Sequence, residues 1–217
     1  MSELKVISMT VGVAATNCYF IYRDDGEEPS AGHQVHGIFF DPADAGDRIY
    51  ETLTENGLVV DKILLTHAHV DHIAGADELR KRSGAKIYCH KDEEIVCKDT
   101  SYNVSRDFGR PMTIDVDGFL DDDEIVEVAD MKCRVIATPG HTPGGCCYYF
   151  EDDALLVSGD TLFCQSVGRT DFPGGSMSTL IRSIREKLLT LPDDTEVLPG
   201  HMGPTTIGTE KKYNPFL

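Results

Sequence analysis

The chain has 217 residues, of which 41% are hydrophobic, and a formal net charge of −17 from 37 acidic and 20 basic side chains. That length suffices to bury a sizeable core, and it sets the expectation of a single domain over residues 1–217. The charge argues against nucleic acid as a partner, because such affinity comes mainly from Lys and Arg neutralising phosphates, and no apolar stretch reaches membrane-spanning length.

Met1 to Val13 lacks the charged start, apolar run and small-residue cleavage site of a secretion signal, so a cytoplasmic protein is expected, monomeric by default. Strands are predicted at Leu4–Met9 and Cys18–Tyr22, around the turn-like Gly12–Asn17. Arg23–Gly37, with its acidic run, reads as an exposed connection to the strand Ile38–Phe40. Asp41–Asp44 then opens a helix carrying Ile49 and Leu53 and ending at Asn56-Gly57. Lys62–Thr66 looks like the end of a buried strand, and Ile73, Ala76 and Leu79 predict a helix over Ile73–Arg82. Ala85–Cys89 is a further strand and Asp92–Cys97 a short helix, whereas Lys98–Pro111 reads as a mobile loop suited to form part of a substrate wall. Strands follow at Ile125–Val128, Cys133–Ala137, Cys146–Phe150, Leu155–Val157 and Glu196–Leu198, with a helix over Met177–Leu191 before the last. Two groups of strands, each mixed with a few helices, suggest two sheets packed face to face with helices outside. The seven cysteines form no Cys-x-x-Cys pair and are read as reduced core residues.

The chemistry concentrates at residues 67–72, His-Ala-His-Val-Asp-His, directly after an apolar strand. Three imidazoles and a carboxylate in six residues would carry a large desolvation cost if buried without a metal. His67 and His69 lie two apart in extended chain and point to one side; Asp71 and His72 open a helical stretch and aim elsewhere, toward a second ion. The isolated His33, His36 and His90 are read as surface or hydrogen-bonded core residues.

Three more segments share one design, an apolar strand that stops at a glycine turn bearing a ligand: Val135–His141, Leu155–Asp160 and Val197–His201. Seven donors exceed the four of a closed zinc site and suit two divalent ions with open positions. One division gives His67, His69 and His141 to one ion, Asp71, His72 and His201 to the other, and makes Asp160 the bridge. Such a pair would turn water into a nucleophile for an ester or thioester carbonyl, with Asp71 as the proton acceptor. Thr66, Thr138, Thr142 and Asp41 are candidates to orient the imidazoles, and Arg169 either holds a substrate carboxylate or pairs with Asp171.

These ligands together resemble those of the metallo-beta-lactamase fold superfamily. Within it, Ser158–Phe163, Gly168–Pro173 and the tail Asn214–Leu217 are similar to small bacterial glyoxalase II-like hydrolases. The resemblance implies an α/β fold, a four-layer αβ/βα sandwich of two mixed sheets with helices outside, and metals at one edge divided as above. It implies a hydroxyacylglutathione hydrolase-like activity on a small acidic thioester such as S-lactoylglutathione. Zinc leads as the metal, with iron and manganese compatible. Longer glyoxalase II enzymes carry a helical C-terminal extension with glutathione contacts, and only sixteen residues follow His201 here. True beta-lactamases of this fold place a cysteine where this pattern has Asp160, which speaks against antibiotic hydrolysis. Persulfide dioxygenases share the fold and a similar Gly-Arg-Thr-Asp-Phe loop but use a single iron, through the equivalents of His67, His141 and Asp160. They supply the alternative, an oxidoreductase.

Overall fold

Half-buried and exposed side chains alternate along β1 (Leu4–Val11), as expected of an edge strand with one face toward a core. The computed structural model describes residues 3–217; Met1 and Ser2, part of the expected domain and of the segment read for a secretion signal, lie outside the described residues. β1 pairs antiparallel with β2 (Thr16–Arg23), and β2 with β3 (Val35–Phe40). From β3 the chain crosses through α1 (Gly46–Glu55) to β4 (Leu58–Leu64), which lies parallel to it. The helix forms because Ile49 and Leu53, four apart, both reach the core, and it stops at Gly57, whose φ of 70° suits a residue without a side chain. After β4 come α2 (Val70–Ile73) and α3 (Ala76–Ser83), then the parallel strands β5 (Lys86–His90) and, beyond α4 (Glu94–Lys98), β6 (Gly118–Leu120).

The second sheet runs β7 (Ile125–Val128), β8 (Met131–Ala137), β9 (Cys146–Phe150) and β10 (Leu155–Gly159) as antiparallel neighbours. A small hairpin of β11 (Leu162–Phe163) and β12 (Ser166–Val167) and the helix α5 (Met177–Ser183) precede β13 (Glu196–Pro199), which lies parallel to β10. β14 (Thr205–Thr206) closes that edge before α6 (Ile207–Tyr213). Every residue of β9 and β10 is buried, as fits strands covered on both faces.

Three apolar layers separate four layers of structure. Ile38, Phe40, Leu64, Tyr148, Phe150 and Val157 pack between the sheets. Phe39, Leu53, Ile63, Leu79 and Ile87 fill the space under α1 and α3, and Leu156, Leu180, Ile184 and Ile207 the space under α5 and α6. This is the expected αβ/βα sandwich of two mixed sheets with helices outside. Cys146 joins the central layer and Cys147 the outer one, so the neighbouring thiols do face opposite ways, and all seven cysteines are free. No described helix is long and apolar enough to cross a membrane.

Several local expectations change. The helix expected over Ile73–Arg82 is two helices interrupted at Ala74-Gly75, because Gly75 lies against the backbone of Asp44 and donates its N–H to Pro42 O at 2.8 Å. The helix from Met177 passes into a π-helical turn at Ile184–Leu188, and Leu189 N donates to Ile184 O at 2.9 Å. Lys211 and Lys212 lie exposed on α6, and Lys211 Nζ reaches Asp193 at 2.5 Å. Lys98–Pro111, expected to be mobile, is cross-braced: Val70 N donates to Asn103 O at 2.9 Å, and Asn103 Nδ2 to Met112 O at 2.8 Å.

Candidate metal centre

All seven predicted donors converge at one edge of the sandwich, where loops from both sheets meet. His67 and His69 follow β4, Asp71 and His72 sit in α2, His141 follows β8, Asp160 follows β10 and His201 follows β13. The strand ends are tied across the seam. Cys146 N donates to Thr66 O at 2.9 Å, and Tyr148 Oη to Leu65 O at 2.8 Å. On the far side, Tyr19 Oη donates to Pro199 O at 2.7 Å, Asn17 N to Gly200 O at 2.7 Å, and Asn17 Nδ2 to Met202 O at 2.8 Å.

Donor atoms of His67, His69 and His141 lie within 4.8 Å of one another, and so do those of Asp71, His72 and His201. The Asp160 carboxylate stands between these trios: Oδ1 is 3.4 Å from His72 Nε2, and Oδ2 is 3.5 Å from both His141 Nε2 and His201 Nε2. Asp71 Oδ2 is 3.4 Å from His201 Nε2 and accepts from Thr16 Oγ1 at 3.3 Å. Asp41 also lies near His67 and His72, but its Oδ2 meets the Nδ1 of His72 at 2.9 Å and accepts from Thr66 Oγ1 at 2.6 Å. It therefore orients the His72 imidazole, and through Thr66 that of His67, from outside the cluster. Thr66 Oγ1 in turn lies 3.1 Å from His67 Nδ1, and the backbone O of Arg169 accepts from His141 Nδ1 at 2.7 Å.

The inner nitrogens are the test of whether metal fits. Nε2 of His67, His69, His72 and His141, together with Asp160 Oδ1, is buried without a hydrogen-bond partner. Five orphaned atoms gathered at one edge of the sandwich would be costly in a finished core, whereas lone pairs facing divalent cations need no other partner. Electrostatics divides the donors as geometry does. Burial and neighbouring imidazoles hold His67 far below the ordinary imidazole range and His69 down to about 3, so both keep free lone pairs. Burial also opposes charge on His72 and His201, but the carboxylates of Asp160 with Asp41 or Asp71 outweigh it, raising His72 strongly and His201 to about 9. Asp71 is pulled down to about 2, its burial outweighed by the His201 hydrogen bond and the charge of His72. One trio is thus neutral imidazole; the other holds the Asp71 carboxylate, which with Asp160 beside it calls for positive charge. The donor set fits divalent metal ions.

The cluster opens on a cleft of about 350 Å³ lined by Ala14, Val104, Phe108, Phe163, Val167 and Phe172 beside the donors. Arg169 is on its wall with its guanidinium paired to both Asp171 oxygens at 2.7 Å and lying 4.0 Å over the Phe172 ring. Of the candidate orienting residues, Asp41 and Thr66 touch imidazoles. Thr138 instead bonds Thr161 at 2.8 Å, and Thr142 bonds Glu93 at 2.8 Å. His33 and His36 pair with surface carboxylates, and buried His90 accepts from Asp92 N at 3.3 Å. Sequence reading missed Thr16, Asn17, the Arg169 carbonyl and Glu93. Burial pushes the Glu93 carboxyl up to about 7, against hydrogen bonds from Ala68, Thr142 and Gly144.

Residues 11–201 match the description Metallo-beta-lactamase superfamily. YqgX of Bacillus subtilis (strain 168), named a probable metallo-hydrolase, is 40% identical over 214 residues, covering 96% of this chain and 95% of that protein. The hydroxyacylglutathione hydrolase GloC of Haemophilus influenzae is 34% identical over 207 residues, 93% of this chain and 92% of that one. Among solved structures, BLEG-1 B3 metallo-beta-lactamase superposes with a TM-score of 0.89 at 38% identity, covering 98% of this chain and 99% of its own. TTHA1623 in a di-iron-bound form gives 0.82 at 30% identity, covering 98% and 100% of the two chains. ETHE1 from Myxococcus xanthus gives 0.73 at 28%, covering 97% and 83%.

Proposed function

The chain belongs to the metallo-beta-lactamase superfamily, and from that premise we propose a metal-dependent hydrolase with a dinuclear site that cleaves a small acidic thioester, S-lactoylglutathione being the type. The observation that carries the reading is the set of five orphaned donor atoms gathered around the Asp160 carboxylate between two trios. His67, His69 and His141 would hold one ion and Asp71, His72 and His201 the other, with Asp160 shared. Divalent ions bound there supply a water of lowered pKa and polarise the scissile carbonyl.

The chain's own residues supply the rest. Hydrogen bonds at Nδ1 from outside the cluster hold His72 and His141 with Nε2 inward, through Asp41 and the Arg169 carbonyl. Asp71 exposes a carboxylate beside Thr16 and takes up the proton released from water at Oδ2. Phe108, Phe163 and Phe172 exclude water around the acyl group. Arg169 meets the substrate carboxylate by exchanging Asp171 for it, an exposed pair being cheap to part. The likeness to GloC supports the thioester, and that to the di-iron form of TTHA1623 supports a site for two ions with iron compatible beside zinc and manganese.

The test is elemental analysis of protein purified without added metal, followed by a thioester panel. About two ions per chain with thioester turnover are expected, and Asp160→Ala should abolish hydrolysis and lower metal content together; turnover by fully loaded Asp160→Ala protein sinks the assignment. The likeness to ETHE1 keeps the single-iron oxidoreductase in view: one iron per chain and oxygen uptake with glutathione persulfide would replace the hydrolase. The likeness to BLEG-1 puts a β-lactam in the panel, and its turnover in preference to every thioester would move the substrate to that amide.

A further inference from the structure

Glu93 has no solvent exposure and lies outside the donor cluster. A carboxylate without solvent contact is costly unless its surroundings require an acceptor that donates nothing. Three donors meet it. Oε1 accepts from the N–H of Ala68 at 2.8 Å, the residue between His67 and His69. Oε2 accepts from Thr142 Oγ1 at 2.8 Å and from Gly144 N at 2.9 Å, in the turn that follows His141.

These bonds join the two loops that supply one trio, His67 with His69 and His141, and no others. Close approach makes the span possible: a Cβ on Gly144 would overlap the backbone of Asp92 and Glu93, so the His141 turn lies directly on the 3₁₀ turn Lys91–Glu93. That turn is itself fixed at its start, where the His90 ring accepts from Asp92 N at 3.3 Å. The other trio is tied by different residues: His72 to Asp41, and the His201 turn to Asn17 and Tyr19. Asp41 thus reaches both trios, His72 directly and His67 through Thr66, whereas the bonds of Glu93 reach only the loops of the first.

We propose that Glu93 is the positioning residue of the His67, His69 and His141 trio, a buried strut that sets the separation of its two loops and governs one ion without governing the other. The inference rests on the two-ion reading above. Glutamine at this place would turn an NH₂ group toward an N–H or O–H donor, so at least one loop must move while side-chain volume is kept. The effect belongs in site-resolved affinity, which a general loss of stability would not separate.

The experiment titrates chelator-treated protein with zinc against a chromophoric competitor, in the wild type, Glu93→Gln, His201→Ala and the double variant. Glu93→Gln should weaken one of two ions by roughly 10- to 100-fold and leave the other within about threefold, as loss of an outer contact to a ligand does. His201→Ala removes the other ion, and the double variant should retain no tight site. Equal weakening of both ions by Glu93→Gln, or of neither, overturns the proposal. Should Glu93→Gln fail to fold, Thr142→Val removes one donor at constant shape and must weaken the same ion. A wild type that binds one ion overturns the dinuclear reading instead; Glu93→Gln must then still weaken that ion if His141→Ala abolishes it.

Discussion

Gly200 has backbone angles open to any residue, so its lack of a side chain serves space rather than conformation. A Cβ there would overlap Asp160 Oδ1 and come within 2.7 Å of His72 Cε1. Gly200→Ala is therefore a steric probe of the shared carboxylate that leaves every donor in the chain. It should cost roughly 10- to 100-fold in metal affinity, read by equilibrium dialysis and elemental analysis; unchanged affinity would remove Asp160 from the ligand set. The seven donors are legible in the sequence because imidazoles and carboxylates follow apolar strands at glycine turns, a pattern with few other uses. Glu93 is not legible. It is the third of Lys91-Asp92-Glu93-Glu94, a run that reads as a solvated face, and only the folded chain buries that one of the four. The Arg169 carbonyl is equally hidden, since a main-chain acceptor leaves no trace in residue type.

At the scale of elements, α1 meets α3 just beyond α2, the short helix that carries Asp71 and His72. A Cβ on Gly46 would overlap Gly75 O and come within 2.7 Å of Leu79 N, so backbone lies on backbone where these helices meet. Gly46→Ala overfills that contact and should cost about 1–3 kcal/mol, seen as a lower midpoint in denaturant with an unchanged slope. A gain in stability, as in an open helix, would mean that the contact relaxes freely. This approach also explains the broken helix. Apolar spacing at Ile73, Ala76 and Leu79 reports which face is buried, but it carries no signal for a neighbouring backbone that interrupts the run at Gly75. Long strands with apolar runs are legible for the converse reason, whereas the two-residue strands β11, β12 and β14 are too short to show a period.

Across the whole molecule, the metal-free site should impose opposite pH dependences on stability. His69 is depressed to about 3 by burial and neighbouring imidazoles, from an unfolded value of 6.5. Its contribution is present above 6.5 and is lost as pH falls through the folded value, because the unfolded chain takes up the proton first. His201 runs the other way. Burial lowers it, yet Asp160 and Asp71 raise it to about 9, so its contribution is complete below 6.5 and fades as pH rises toward 9. Chelator-treated protein should accordingly melt at its highest temperature near neutrality and lose midpoint on both sides. Binding divalent ions needs deprotonated imidazoles and replaces the proton that Asp160 and Asp71 favour on His201. Loaded protein should therefore lose the alkaline decline and keep a steeper acidic one, where protons compete with metal for every histidine of the cluster. Thermal melts from about pH 5 to about pH 9, with and without chelator, separate the cases. If both forms decline alike toward alkaline pH, the charge on His201 is not what the ions replace, and its place in the second trio fails.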